Sequence, residues 1–248
     1  MPRRRRCLLP GVACHITQRG VDRRETFSSA EDRYTYLGLL RQSLEDTEVR
    51  ILAYCLMSNH LHLVAVPARE DSMSILIRRV HSRYAQYYNS RTGRTGHLWQ
   101  NRFYGCMLAP NRVWTAVAYA ERNPLRARIV RNAEDYQWSS AIARATGGDA
   151  SGVLDMEWWR KNARRGWREW LNRPEEDASP KNQGAHHDTI VNLRACTYAE
   201  RPFGEQAFLE GMEAHFGRHW NRGRPTRWSR LTAAERDAQL QLFESSQS

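Results

Sequence analysis

The sequence predicts an α+β fold built on an antiparallel sheet, and three observations carry that expectation. Short β-prone runs bounded by turn residues alternate with longer runs of helical period. Their order along the first half of the chain is β-α-β-β-α-β followed by a helix. With 248 residues, 41% of them hydrophobic, the chain can bury a real core as one large or two small domains.

Val12 to Gln18 (VACHITQ) is β-prone and is stopped by Arg19-Gly20, which gives a first strand. Ser28 or Ser29 caps a helix reaching about Thr47, with Tyr34, Leu37, Leu40 and Leu44 at helical spacing. Val49 to Leu56 and Leu61 to Val66 follow as a hairpin, separated by Ser58-Asn59. Asp71 or Ser72 opens a second helix whose Met73, Leu76, Ile77, Val80, Tyr84, Tyr87 and Tyr88 keep the i, i+3, i+4, i+7 rule. Asn89 to Gly96 stops it, and the aromatic run His97 to Leu108 supplies a fourth strand. Asn111 to Arg122 reads as a helix that Asn123-Pro124 ends or bends, because the residue before proline disfavours helical geometry. This is the order of a ferredoxin-like split β-α-β sandwich.

Residues 1–150 are expected to form this domain. Residues 151–172 carry a tryptophan-rich helix (Trp158, Trp159, Trp167, Trp170), most simply read as packing. A polar, proline-containing linker is expected over 173–189. Residues 190–248 form a small helical accessory region with a basic tail, its helices at Ile190 to Ala199 and Glu205 to Phe216, with Gly217 as a C-cap.

Composition narrows the function. No run approaches the roughly 18 apolar residues of a membrane span, and the first ten residues are arginine-rich where a signal peptide is apolar, so a soluble intracellular protein is expected. Five scattered cysteines without C-x-x-C spacing suggest neither a disulfide framework nor a cysteine zinc site. Net charge is +11, and residues 1–150 hold 23 basic against 13 acidic residues, a net of +10. Lys161 and Lys181 are the only lysines, so the excess is arginine, whose planar fork suits phosphate. The asymmetry favours a nucleic-acid-binding N-terminal domain; a GC-biased genome explains the arginine usage but not its placement.

Chemistry concentrates in Tyr54-Cys-Leu-Met-Ser-Asn-His-Leu-His-Leu-Val66. His60 and His62 are two apart in a strand, so alternation turns both imidazoles to one face while Leu61 and Leu63 face the other. Two imidazoles on one face can share a metal, although paired core or exposed histidines are commoner. Tyr119 and Asn123 stand at i and i+4 on the later helix. A tyrosine phenol can attack a phosphodiester if a cation offsets the developing charge, and Asn123 can offer such a cation an oxygen. The plainer alternative makes Tyr119 packing and Asn123 a cap before Pro124.

The motif His60-Leu61-His62 resembles the histidine-hydrophobic-histidine motif of HUH endonucleases. Its setting is similar to the REP-associated tyrosine transposases: Leu-Met-Ser-Asn-His-Leu-His-Leu-Val, then Arg94-Thr-Gly-His-Leu-Trp-Gln-Asn-Arg-Phe103, Tyr119-Ala-Glu-Arg-Asn-Pro-Leu-Arg-Ala127 and Asp135-Tyr-Gln-Trp-Ser-Ser140. The resemblance covers about residues 8–145, and more weakly 194–225. It implies an HUH domain in which His60, His62 and Asn123 hold Mg²⁺ or Mn²⁺, oxygen-preferring ions for which imidazole is tolerated more than preferred. It also implies that Tyr119 attacks single-stranded DNA at hairpin-forming, REP-like palindromic repeats through a 5′-phosphotyrosine, in the bacterial cytoplasm at the nucleoid. Ser58 departs from the proline usual there, which loosens the entry to the histidine strand without losing a catalytic atom.

DNA contacts are expected from Gln18, Arg19, His97, Trp99, Gln100 and Arg102, where arginines stand beside aromatics. Trp99 and Phe103 are equally readable as core. Arg3 to Arg6 is a basic arm or a tail, and Arg222-Gly223-Arg224-Pro225 resembles an AT-hook core. Tyr84, Tyr87 and Tyr88 also offer phenols, but only Tyr119 carries the Asn four residues on. A catalytically silent hairpin-binding descendant is the alternative, and a relaxase or replication initiator is disfavoured by the short chain. Relatives include dimers and monomers, and a monomer is slightly favoured.

Overall fold

The computed structural model describes residues 6–173 and 192–220. Residues up to 209 form one compact unit, and the described part of a second unit is residues 210–220. Four strands, β1 (Cys14–Arg19), β2 (Val49–Leu56), β3 (His60–Pro67) and β4 (Tyr104–Met107), pair in the order β2-β3-β1-β4, every pair antiparallel. With α1 (Ala30–Thr47) and α2 (Ser72–Thr92) as the crossovers, this is the ferredoxin-like arrangement the element order predicts.

Local chemistry explains the elements. Ser29 opens α1 with a capping box: its hydroxyl accepts from the Asp32 amide while the Asp32 carboxylate accepts from the Ser29 amide. The same Asp32 carboxylate receives Arg91 from α2 at 2.8 Å. Inside the helix pair, Tyr36 and His81 share a hydrogen bond of 3.0 Å. Gly93, at φ 64°, ends α2 in the left-handed conformation. The hydroxyls of Tyr84 and Tyr88 donate to the carbonyls of Thr26 and Glu25, so both phenols are core hydrogen-bond donors.

The opposite face of the sheet carries α3 (Val113–Glu121), which packs on β2 and β3 through Ala116, Val117, Ala118 and Ala120 against Ala53, Val64 and Val66. Small residues let this helix approach the strands closely. Its chain bends at Asn123-Pro124 into a single turn, α4 (Asn123–Arg126). Then α5 (Ala141–Thr146), α6 (Met156–Asn162), α7 (Trp167–Asn172), α8 (192–198) and α9 (Gln206–Phe216) complete the described chain.

Two expected elements are shorter than the residue pattern suggests. The fourth strand begins only at Tyr104. Residues 97–103 instead form a loop that meets the end of β1 in a single antiparallel bridge, Gly20 with Trp99, the Val21 amide donating to Leu98 O and the Gln100 amide to Arg19 O. The tryptophan-rich helix is two helices: α6 ends at Asn162 before an extended Ala163, and Gly166, at φ 68°, stands at the start of α7. Its tryptophans do pack: Trp114 of α3 lies 4.6 Å from Trp167 and 5.2 Å from Trp158, centroid to centroid. The expected linker falls almost wholly outside the described residues. Among the described residues no helix is long and apolar enough to cross a membrane.

Glu121, at the end of α3, is fully buried and accepts from Ser140 Oγ (2.6 Å), Arg144 Nε (2.5 Å) and Trp167 Nε1 (3.2 Å). Removing one partner of a buried ion pair strands the other charge, here an Arg144 side chain only 3% exposed. Glu121→Ala is therefore expected to cost about 3–5 kcal/mol in denaturant unfolding. A loss below about 1 kcal/mol would show that the pair does not hold α3.

Candidate active site

Strand register builds the site. Across the central pair of strands Thr17 stands opposite His62 and Arg19 opposite His60, so residues 15, 17 and 19 of β1 share a face with the two histidines of β3. That face is the one α3 covers. Leu61 and Leu63 turn to the other side, as their alternation requires, and both are fully buried.

Four rings meet there. His60 and His62 lie 5.1 Å apart and nearly perpendicular. His62 stacks on His15 at 5.2 Å. The Tyr119 ring stands edge-on to His62 at 5.3 Å and to His15 at 5.4 Å. Arg126 covers the Tyr119 ring at 4.2 Å and donates to the Tyr119 carbonyl at 3.0 Å, fixing the ring between a cation and two imidazoles.

Each strand histidine is held by one ring nitrogen. His60 Nδ1 lies 2.6 Å from Asn59 Oδ1, whose amide nitrogen in turn donates to Arg23 O. His62 Nδ1 lies 3.0 Å from His15 Nε2. In both rings Nδ1 is tied to a neighbour, so Nε2 is the nitrogen that a cation would meet, the usual form of a metal-binding imidazole. Burial, with Arg19, Arg194 and Arg126 adding to it, holds His60 at about 3, and burial with the neighbouring imidazoles holds His62 well below the usual histidine range. Uncharged imidazoles are the ligand form. The donor set thus fits a divalent cation. Among the described residues no group of three or more His, Cys, Asp or Glu is placed to hold one, so a third protein ligand would come from another residue type, such as the Asn123 amide oxygen.

Asn123 sits one turn beyond Tyr119. Its amide nitrogen donates to the carbonyls of Tyr119 (2.9 Å) and Ala120 (3.3 Å), capping α3 and leaving Oδ1 as the atom that could meet a cation. Arg19 is half-buried opposite His60, and His97, Gln100 and Arg102 are exposed on the loop pinned to that end of β1. Gln18 and Trp99 go elsewhere. Gln18 pairs with Leu61, is buried, and donates to Asn101 O at 2.9 Å. Trp99 stacks on His81 at 4.3 Å and donates to the His81 carbonyl, so it belongs to the helix-pair core. Arg222 and Arg224 lie outside the described residues.

His15, Thr197 and Arg126 were not singled out by sequence. A signal existed for His15: His15, Thr17 and Arg19 alternate on one strand face as His60 and His62 do. Nothing local marks Thr197, which reaches the site from α8.

Paired imidazoles on a central strand of an antiparallel ferredoxin-like sheet, faced by a tyrosine from a covering helix, are the arrangement that the resemblance read from the sequence leads one to expect. Residues 10–123, from the approach to β1 through Asn123, match the model of the family described as IS200-like transposase. A solved structure of a REP-associated tyrosine transposase bound to a REP hairpin has a similar fold, with a TM-score of 0.50 and 19% identity over 64% of this chain and 91% of that one. The match over residues 10–123 and the shared fold both agree with the resemblance read from the sequence. No curated protein matches the chain.

The buried histidines predict an acid-labile fold. His81, away from the site, is also lowered to about 3 by burial. Between that value and 6.5 the unfolded chain binds a proton that the folded chain refuses, so stability is full above about 6.5 and is lost as pH falls. Each such histidine contributes a slope of about 1.4 kcal/mol per pH unit in that window. Denaturant unfolding of the chelator-treated protein from pH 7 to pH 4 should show a steep fall, and His81→Gln should lower the slope by about one proton. An unchanged slope in that variant would refute the assignment.

Proposed function

We propose that the protein is a metal-dependent single-stranded DNA endonuclease and transposase that cleaves and rejoins DNA at hairpin-forming, REP-like repeats. The observation that supports this is the approach of the Tyr119 ring to His62, whose Nδ1 is tied to His15 so that Nε2 is the nitrogen a cation would meet. The proposed nucleophile and the histidines that would hold the cation then lie side by side, although helix and strand are remote in sequence.

In the proposed reaction Tyr119 Oη attacks the scissile phosphorus and the bond from phosphorus to the 3′-oxygen breaks. The phenolic proton passes to solvent and the departing 3′-oxygen takes one up. The products are a 5′-phosphotyrosine and a 3′-hydroxyl, and since one phosphoester replaces another, the same 3′-hydroxyl or a different one can reverse the step. Arg126 holds the phenol ring in place. Mg²⁺ or Mn²⁺ on His60, His62 and Asn123 would polarise the phosphate and offset its developing charge. Exposed His97, Gln100 and Arg102, with Arg19 beside His60, offer the strand a basic rim in the half of the chain that carries the +10 excess.

The test is a hairpin-bearing single strand incubated with the full chain and Mn²⁺, resolved under denaturing conditions. A covalent protein–DNA adduct is expected, absent in Tyr119→Phe, with cleavage by His60→Ala or His62→Ala slower by about 100-fold or more. Tight, salt-sensitive hairpin binding that is indifferent to metal and gives no adduct would replace this reading with the silent hairpin-binding one.

A further inference from the structure

A chain of hydrogen bonds runs from His62 out of the catalytic half of the molecule and ends in α8. His62 Nδ1 meets His15 Nε2 at 3.0 Å, His15 Nδ1 meets Thr197 Oγ1 at 2.9 Å, and Thr197 Oγ1 meets Leu193 O at 2.8 Å. All four residues are buried. The last link gives the chain a direction. A peptide carbonyl only accepts, so the single hydroxyl proton of Thr197 is donated to Leu193 O, the back-bond usual for threonine in a helix. Its oxygen is then left to accept.

Two donors are in place. His15 Nδ1 is one, and the Cys106 thiol, 3.3 Å away with its ionisation pushed up by burial, is the other. Thr197 Oγ1 thereby uses its donor and both lone pairs. A neutral imidazole carries one N–H and one lone pair. Protonated on Nδ1, His15 presents the Nε2 lone pair and accepts from His62 Nδ1–H. His62 is left with its lone pair on Nε2, the side that faces a cation.

We propose that α8 is a positioning part of the metal site: through Thr197 and the Leu193 carbonyl it fixes the tautomer of His15, and through His15 that of His62. The inference rests on the metal-binding reading above. His60 is held in the same tautomer by Asn59, its neighbour in sequence, whereas His62 depends on a residue 135 positions later. Outer partners of this kind set ligand orientation, and their loss commonly weakens metal binding about 10–100-fold.

The experiment uses full-length protein carrying ¹⁵N-histidine, treated with chelator at pH 7.5, with tautomers read from long-range ¹H–¹⁵N correlations. His15 and His62 are expected to show the Nδ1–H pattern before any metal is added. Thr197→Val, which keeps shape and removes the hydroxyl, should mix the His62 tautomers and weaken Mn²⁺ binding by calorimetry about tenfold, and Thr197→Ser should restore both. His62 protonated on Nε2 in the wild type overturns the proposal, and that spectrum decides even if the valine variant does not fold. So does a Thr197→Val protein with wild-type tautomers and Mn²⁺ affinity, or a serine variant as impaired as the valine one. The nuclease reading fails separately: an Nδ1–H wild type that forms no tyrosine adduct supports the relay and sinks the chemistry.

Discussion

The placement of α3 on the sheet depends on the carboxylate of Glu121. It stands two residues after Tyr119, about 200° round the helix, so the side chain that anchors the helix and the side chain offered to the histidines leave it in different directions. Glu121 gathers Ser140, Arg144 and Trp167, and Arg144 extends the link to the Leu52 carbonyl of β2 at 2.6 Å. A charge buried this deeply is tolerated only with its partners in place, which makes the docking geometry unforgiving. That rigidity would suit the nucleophilic role proposed for Tyr119, since a displacement near 1 Å is expensive in rate.

The strands supply the complementary constraint. One-residue slippage of β3 would send both imidazoles into the helix-pair core and Leu61 and Leu63 toward Tyr119. Leu61 and Leu63 are fully buried, so the hydrophobic effect guards the register and, through it, the position of the two imidazoles. The intervening leucine is therefore as much a part of the site as the histidines it separates.

Much of this was legible in the residues. Helix α1 begins at the expected serine, the hairpin and α2 fall where periodicity puts them, and strand alternation alone shows His60 and His62 on one face. What escaped was decided by long-range contact. Residues 97–103 are aromatic enough for a strand but are held as a loop by β1. The Trp158 to Trp170 pattern hid the left-handed Gly166. Gln18 and Trp99 carry DNA-binding chemistry on paper, yet parity buries the first and stacking on His81 absorbs the second. His15 needed the strand register, and Thr197 needed the return of the chain.

The contact between His15 and Thr197 joins residues 182 positions apart. A ribosome delivers β1 first, the strand histidines next and the tyrosine helix after them, while α8 emerges only after all of these. Domains fold largely as they appear, so the sheet can assemble on the nascent chain before the last hydrogen-bond acceptor of the relay exists. With the relay as proposed, a nascent or prematurely terminated chain would carry both imidazoles and the phenol but an unset ligand. Translation itself would then time when the proposed metal site becomes competent.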